Sequence, residues 1–321
     1  MTMTPPRLTV LLANFNHAQF LSESIPALLR HPEIPAEVIV VDDASTDDSV
    51  RVLERLTASD PRVQVLRNPK NRGVVANLDR LLRMATGEYV YSAAADDLVL
   101  PGFFERSLEL LARHPQAGLC STLTWMMDAE GRRRRVLPAP HVSREAVYLP
   151  PPRVREVLRS VGSWFQGNTV IHRRLALMEV GGYRGDLESF ADAFAAQLSA
   201  LRFGACFIPE PLTAWRMLPG TYSRRIFSDA DRRSRMFSHA VELMEGQYRA
   251  DFPPGFAAAW RREMEFYASR EALARRRAAR TGFGHFVAMA EWLVRSAALA
   301  PSIPPHVLRR LLYRRVPWLR S

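Results

Sequence analysis

Two pairs of adjacent carboxylates have the types and the setting to do chemistry. Asp42 and Asp43 end the apolar run "EVIVVDD", and Asp96 and Asp97 end "EYVYSAAADD". Such pairs are hard oxygen donors suited to Mg2+ or Mn2+, which takes one or two protein carboxylates and completes its shell with phosphate and water. A metal held there neutralises a diphosphate leaving group. The competing reading of Asp96 and Asp97 is the capping of a helix that starts near Pro101. For the loop "VVDDASTDDS" it is a helix start capped by Ser45 and Thr46. Asn14 and Asn16 follow another apolar run, and Asn71, Arg72 and Gly73 precede a helical one.

These residues need elements to position them. "RLTVLLANF" (Arg7 to Phe15), "AEVIVVDDAS", "RVQVLRN" and "EYVYSAAA" read as strands, and "AQFLSESIPALLR", "DDSVRVLERLTAS" and "GVVANLDRLLRMA" have helical spacing. Strands separated by helices of ten to fifteen residues imply a mainly parallel sheet with right-handed crossovers. All four polar groups then fall at carboxyl ends of strands or in the loops around them, the edge where open α/β sheets hold ligands. Neither Gly-x-Gly-x-x-Gly nor Gly-x-x-x-x-Gly-Lys is present, which argues against a dinucleotide site or a P-loop.

Beyond Leu100 the pattern changes. "PGFFERSLELLARHP" predicts a helix begun by proline. "AGLCSTLTWMMDAEGRRRRV" predicts a strand and a hairpin turning at Glu130 and Gly131, and "FQGNTVIHRR" a further strand. Helices are expected near Arg173 to Val180 and Leu187 to Phe203. After Thr221 the text is almost entirely helical, with "DFPPGF" and "APSIPPHV" as hinges.

Composition bounds the rest. A chain of 321 residues, 47% hydrophobic, is long enough for one or two folded domains. Cys120 and Cys206 lie in apolar contexts away from metal-ligand spacing, as buried thiols of a reducing compartment would. No signal-like segment precedes the first strand, and "FVAMAEWLVRSAALA" is interrupted by Glu291 and Arg295, so a cytoplasmic protein is expected. The net charge of +11 is uneven: residues 1–220 carry 25 basic and 24 acidic side chains, whereas residues 221–321 carry 19 and 9.

The stretches "LLANFNHAQFLSESIPALL", "EVIVVDDASTDDSV", "NPKNRGVVANLDRLLRMATGEYVYSAAADDLVLPGFFE" and "GGYRGDLESFADAFAAQLSALRFG" together resemble the family 2 glycosyltransferases of the GT-A fold, over about two thirds of the chain. The resemblance implies a Rossmann-like, mainly parallel sheet flanked by helices, with a C-terminal helical extension. Residues 1–223 would form the GT-A domain, with a nucleotide-binding half at 7–115 and an acceptor half at 116–223; residues 224–321 would form a basic helical region. It implies inverting, metal-dependent transfer of a hexose-type sugar, using Mn2+ or Mg2+. The donor would be a nucleoside-diphosphate sugar, a UDP-sugar being favoured. The acceptor would be a hydroxyl of a saccharide or lipid-linked glycan, in bacterial envelope polysaccharide synthesis.

By the same resemblance, Ala13, Asn14 and Phe15 contact the nucleotide base, Asp43 binds its edge with support from Asp42, and Asn71, Arg72 and Gly73 lie near base and ribose. The family's Asp-x-Asp-Asp motif matches at its last two positions: Asp97 as metal ligand and Asp96 as the ribose or phosphate-side partner. Its first Asp is Ala94 here. Inverting transfer also requires a base on the face opposite the leaving phosphate. Asp192 matches it, after the "GGY" turn, with Ala191 in place of the usual Glu and with Asp186 and Glu188 as rivals; an acidic residue stabilising a helix's first turn would fit Asp192 too. Trp164 to Asn168 would border the sugar and acceptor sites, with His172 nearby in a structural role. Arg216, Thr221 and Ser223 would approach the diphosphate as a flexible lid.

The tail admits three readings. "HVLRRLLYRRVPWLR" has the composition of an amphipathic helix on anionic lipid, which would dock the enzyme peripherally on the inner membrane. Packing or oligomerisation is the second reading. Nucleic-acid binding is disfavoured, because no nucleic-acid module accompanies the charge. Ala94 and Ala191 support one functional alternative, a catalytically silent nucleotide-sugar-binding scaffold subunit of a glycan assembly complex.

Overall fold

The computed structural model describes residues 7–30, 36–140 and 142–278. The late segments "FVAMAEWLVRSAALA", "APSIPPHV" and "HVLRRLLYRRVPWLR" lie outside the described residues. In chain order the elements are β1 (Leu8–Asn14), α1 (Ala18–Leu29), β2 (Ala36–Asp42), α2 (Ser49–Ser59), β3 (Val63–Arg67), α3 (Val74–Met84), β4 (Tyr89–Ala94), β5 (Leu98–Val99), α4 (Phe103–Arg113), β6 (Leu119–Met127), β7 (Arg133–Val136), β8 (Val147–Leu149), α5 (Pro151–Val161), β9 (Val170–Arg173), α6 (Arg174–Glu179), α7 (Ala191–Phe203), β10 (Ala205–Arg216), α8 (Tyr222–Ser228), α9 (Ala230–Glu245) and α10 (Phe256–Ala278).

The chain divides into two compact units. One comprises the chain up to Val154 together with Ser163–Pro219; the other comprises Arg155–Gly162 and the chain from Gly220. In the first, a single sheet runs β3-β2-β1-β4-β9-β6-β10-β5, with β7 on β6 and β8 on β10. Strands β3, β2, β1 and β4 are mutually parallel, as are β6 and β10, while β9 runs antiparallel between β4 and β6. The sheet is thus largely parallel and flanked by helices, as the alternation of elements predicts. The central strands are apolar on both faces because helices cover both. On one face Leu8, Val10 and Leu12 pack with Leu21, Ile25 and Leu28 of α1 and with Phe103, Phe104 and Leu111 of α4. Tyr91 meets Phe103 edge to face at 5.1 Å.

Four local expectations change. Ser45 and Thr46 do not cap α2: the helix begins at Ser49, whose amide donates to Asp47 Oδ1 at 3.0 Å. Pro101 does not open α4, because the chain turns through Gly102 at φ 88 and becomes helical at Phe103. Asp96 and Asp97 make no capping hydrogen bond to that helix, which removes the capping explanation for the pair. The helix expected from Leu187 begins at Ala191, because Glu188 interrupts the preceding 3-10 turn at φ 46.

The second unit is helical. Asp229 caps α9 by accepting from the Arg232 amide at 3.0 Å. Met236, Phe237, Ala240, Leu243 and Met244 form the buried stripe of α9, where Phe237 meets the Trp260 ring at 5.4 Å.

Candidate active site

The carboxyl ends of β1, β2 and β4 carry the site, and side-chain hydrogen bonds stitch their loops together. Asn14 is buried and donates to Asp42 Oδ1 at 2.9 Å and to Ser45 Oγ at 3.2 Å. The other Asp42 oxygen accepts from the Ser45 amide. Asn16, at φ 57, donates its amide to Ser45 Oγ and accepts from the Thr46 amide at 2.8 Å. Ser45 and Thr46 therefore bind the β1 loop instead of capping α2. Ala13 and Asn14 belong to the strand, whereas the Phe15 ring is 39% exposed on the edge. An aromatic ring left open beside fixed loops is a stacking surface for a base.

Asp43 is buried and accepts three hydrogen bonds. Asn68 Nδ2 and the Arg72 amide reach Oδ1 at 2.8 and 2.9 Å, and the Gly73 amide reaches Oδ2 at 2.8 Å. Burial, the largest single influence, would raise its pKa, but its polar neighbours together hold it below the usual carboxylate value. Asp43 thus stays ionised and fixes the turn of Asn71, Arg72 and Gly73, where Gly73 opens α3 at φ 87. Asn68 and Asn77, bonded to each other at 2.8 Å, were not expected from the sequence. Their signal was a polar residue straight after β3 and another one turn into an otherwise amphipathic helix.

Asp97 is buried and Asp96 half-buried. The Arg216 amide donates to Asp97 Oδ1 at 2.8 Å, and the Asn168 side chain, which donates to Thr124 Oγ1 at 3.4 Å, is a further influence that lowers the pKa of this carboxylate. Burial first, and then the charge of Asp96, push the Asp97 pKa well up. Arg216 is not part of a free lid. It is 2% exposed, and its guanidinium donates to the Asp96 carbonyl at 2.8 Å, the Ala129 carbonyl at 3.0 Å and the Glu23 carboxylate at 2.6 Å, over the Phe20 ring. Those bonds use three of its five N–H donors and tie Arg216 to the acid turn. Thr221 and Ser223 stand at the start of α8, in the second unit.

Asp192 lies in the first turn of α7, half-buried, with its pKa raised by burial. Its carboxylate presses on Gly167 so closely that a Cβ there would stand 2.0 Å from Oδ2. The next residue, Asn168, donates to Thr124 Oγ1 at 3.4 Å, and its side chain lowers the pKa of Asp97. Consecutive residues of the "WFQGN" segment thus face the expected base and influence the expected metal ligand. Of the rivals, Asp186 is turned to Arg184 at 2.6 Å, and Glu188 sits at the strained backbone position noted above. Tyr183, from the "GGY" turn, reaches the Ser92 hydroxyl on β4.

His172 is buried in β9 with its pKa pushed down to about 3 by burial, so it is a neutral packing residue. Cys120 and Cys206 face each other in the β6 and β10 register, free and buried, and burial pushes the Cys206 thiol up to about 12. Among the described residues no group of three or more His, Cys, Asp or Glu side chains could hold a metal unaided. Asp96 and Asp97 fit a divalent ion that completes its shell with substrate phosphate. The buried Asp97 carboxylate, beside a second negative charge, is one that a cation would stabilise. No described helix is long and apolar enough to cross a membrane.

Comparison with known proteins agrees with this fold. The family model described as glycosyl transferase family 2 matches residues 9–175. The Bacillus subtilis (strain 168) protein EpsE, which carries the name of a glycosyltransferase, is 26% identical over 239 residues, covering 74% of this chain and 79% of EpsE. Among solved structures, a mannosyltransferase from Pyrobaculum calidifontis in complex with GDP-Man and Mn2+ superposes with TM-score 0.58 at 23% identity, covering 99% of this chain and 89% of that one. Residues 1–349 of S. aureus TarS in complex with UDP-GlcNAc superpose with TM-score 0.63 at 15% identity, covering 93% and 82%.

Proposed function

We propose that this chain, which belongs to glycosyl transferase family 2, moves a sugar from a nucleoside diphosphate to an acceptor hydroxyl with inversion at the anomeric carbon. The observation that carries this reading is that adjacent residues face both carboxylates: Gly167 meets Asp192 closely, and the Asn168 side chain is among the influences that lower the Asp97 pKa. In it, Phe15 stacks on the base, Asp43 and the turn of Asn71, Arg72 and Gly73 receive base and ribose, and Asn14 with Asp42 holds the loop that presents them. Asp97 and Asp96 take the diphosphate end through Mn2+ or Mg2+. The ion, when bound, neutralises charge building on the leaving phosphate.

Asp192 accepts the acceptor's hydroxyl proton while that oxygen bonds to the anomeric carbon and the bond to the diphosphate breaks, its electron pair leaving with the phosphate. A pKa raised by burial makes this carboxylate a stronger base than an exposed one. The two nucleotide-sugar complexes among the structural neighbours, one with GDP-Man and one with UDP-GlcNAc, support a nucleoside-diphosphate donor without selecting the base. The acceptor in this reading is a growing envelope glycan or lipid-linked saccharide. Residues 224–321 serve as an accessory basic region that brings the catalytic residues to the inner-membrane surface.

The test is a thermal-shift panel of UDP, GDP, dTDP and CMP and their common sugar conjugates, with and without Mn2+, on wild type and Asp97→Ala. A metal-dependent shift with one nucleotide, lost in the variant, is expected. No shift with any of them sinks the assignment, and binding without turnover of any donor moves it to the silent scaffold.

A further inference from the structure

The hydrogen bonds that hold Asp43 continue past it and end on a cation. Asn68 follows β3, and its backbone amide donates to the Asp42 carbonyl at 2.9 Å, which fixes it beside the carboxyl end of β2. Asn77 and Arg80 stand three residues apart on α3 and so share one face of that helix. Arg80 Nη1 donates to Asn68 Oδ1 at 3.0 Å, and Asn68 Nδ2 donates to both Asp43 Oδ1 and Asn77 Oδ1 at 2.8 Å. Asp43, Asn68 and Asn77 are buried and Arg80 is half-buried. Among the described residues this neutral amide, and no carboxylate, is what the Arg80 side chain bonds.

The direction of this run of bonds is set at both ends. A guanidinium only donates and a carboxylate only accepts, so an Asn68 amide turned the other way would set Nδ2 against Arg80 and Oδ1 against Asp43. Asn77 is held as an acceptor even though its own Nδ2 is then buried without a partner, which costs stability. Burial would raise the Asp43 pKa, and the neutral donors around it, the Asn68 side chain foremost, lower it. A carboxylate offers about four acceptor positions. Asn68 and the Arg72 amide fill those of Oδ1 and the Gly73 amide takes one on Oδ2, so the open position is on Oδ2.

We propose that Asn68 and Arg80 are positioning residues of the donor site: Arg80 orients the Asn68 amide, and Asn68 turns Asp43 so that its open Oδ2 position meets a donor group of the bound nucleotide. The proposal rests on the transferase reading above and adds to it two residues that act without touching nucleotide or sugar. Arg80 works through a neutral amide, so its effect reaches the nucleotide only while Asn68 is present. The nucleotide end is held alike in ground and transition state, so loss of this control raises donor KM and spares kcat.

Calorimetric titration with the nucleotide from the thermal-shift panel, run as a double-variant cycle, tests this. Asn68→Ala is expected to bind it about tenfold more weakly than wild type, and Arg80→Met about threefold. In the Asn68→Ala background Arg80→Met is expected to change affinity by less than about 1.5-fold, because the residue it acts through is gone. Donor KM should rise in step, with kcat within about twofold of wild type. Asn68→Asp fills the same space and keeps an acceptor for Arg80 but sets a second carboxylate against Asp43, so it should weaken binding beyond Asn68→Ala; a merely space-filling Asn68 would leave it at wild type. An Arg80→Met effect of equal size in both backgrounds, wild-type affinity in Asn68→Asp, or a loss of kcat with KM unchanged overturns the proposal. Carboxyl-carbon NMR of the nucleotide-free, aspartate-labelled protein, with Asp43 assigned from Asp43→Asn, reads the same bonds without a ligand. Asp43 is expected to titrate at least about one pH unit higher in Asn68→Asp than in wild type, since two touching carboxylates do not both ionise. An unchanged titration also overturns the proposal. A negative nucleotide panel beside the expected titration sinks the transferase reading and leaves the hold of Arg80 and Asn68 on Asp43 standing.

Discussion

Gly167→Ala tests the contact between the "WFQGN" segment and Asp192 with a single methyl group. The added Cβ would stand 2.0 Å from Asp192 Oδ2, against a limit of 3.0 Å that real Cβ atoms respect, so the carboxylate must move by about 1 Å or more. Gly167 does not have a left-handed backbone, so the alanine itself is tolerated and the strain falls on Asp192. A misplacement of about 1 Å at a reacting group costs on the order of 100-fold in rate, or about 2.7 kcal/mol of transition-state stabilisation. Initial rates over a range of donor concentrations read this directly. The expected result is a kcat down about 100-fold, a donor KM within about threefold of wild type, and an unchanged nucleotide thermal shift, because the interaction lost is one made in the transition state. A kcat within about threefold of wild type would refute the placement of Asp192 at the reacting hydroxyl.

Three further outcomes are expected. Asp43→Ala removes the acceptor for Asn68, the Arg72 amide and the Gly73 amide; nucleotide affinity should fall at least about tenfold and stability by about 2 kcal/mol, measured by titration and urea unfolding. Arg216→Ala leaves two carbonyls and Glu23 without their donor; it should raise the Mn2+ concentration for half-maximal activity and lower Tm, and Arg216→Lys, lacking the planar fork, should restore little of either. His172 has its folded pKa held at about 3, below the unfolded value, so the unfolded state binds the extra proton between those values. The stability it protects is therefore complete above about pH 6.5 and is lost as pH falls towards 3, by about 2 kcal/mol between pH 7 and pH 5. Urea midpoints of wild type and His172→Gln at the two pH values check this; an equal pH dependence in both proteins would show that His172 is not the group responsible.

The parts of the fold visible in the sequence were those set by short-range pattern. Runs such as "EVIVVDD" and "EYVYSAAADD" are buried on both faces, so unbroken apolar stretches marked β2 and β4, and the carboxylates ending them marked the edge. What escaped depended on partners far along the chain. Ser45 has the chemistry of a helix cap, yet Asn14, 31 residues earlier, takes its hydroxyl. Arg216 in "TAWRMLPGTYS" read as a mobile charge, yet Glu23, 193 residues away, and two backbone carbonyls hold it. Burial turned His172 into a silent residue and Asp192 into a basic one, and neither burial can be read from neighbouring letters. The contact of Gly167 with Asp192 needed both the 3-10 turn before β9 and the delayed start of α7.

The central claim is that the acid pair and Asp192 act on one nucleotide-bound sugar. The most direct measurement is the Mn2+-dependent release of sugar from the donor identified by thermal shift, followed by proton NMR of the nascent anomer, in wild type, Asp97→Asn and Asp192→Asn. The account predicts that wild type releases the anomer of inverted configuration. Asp97→Asn should lose both metal-dependent donor binding and release, and Asp192→Asn should bind donor normally but release sugar at least about 100-fold more slowly. Release with retained configuration, or a wild-type rate in Asp192→Asn, would contradict it.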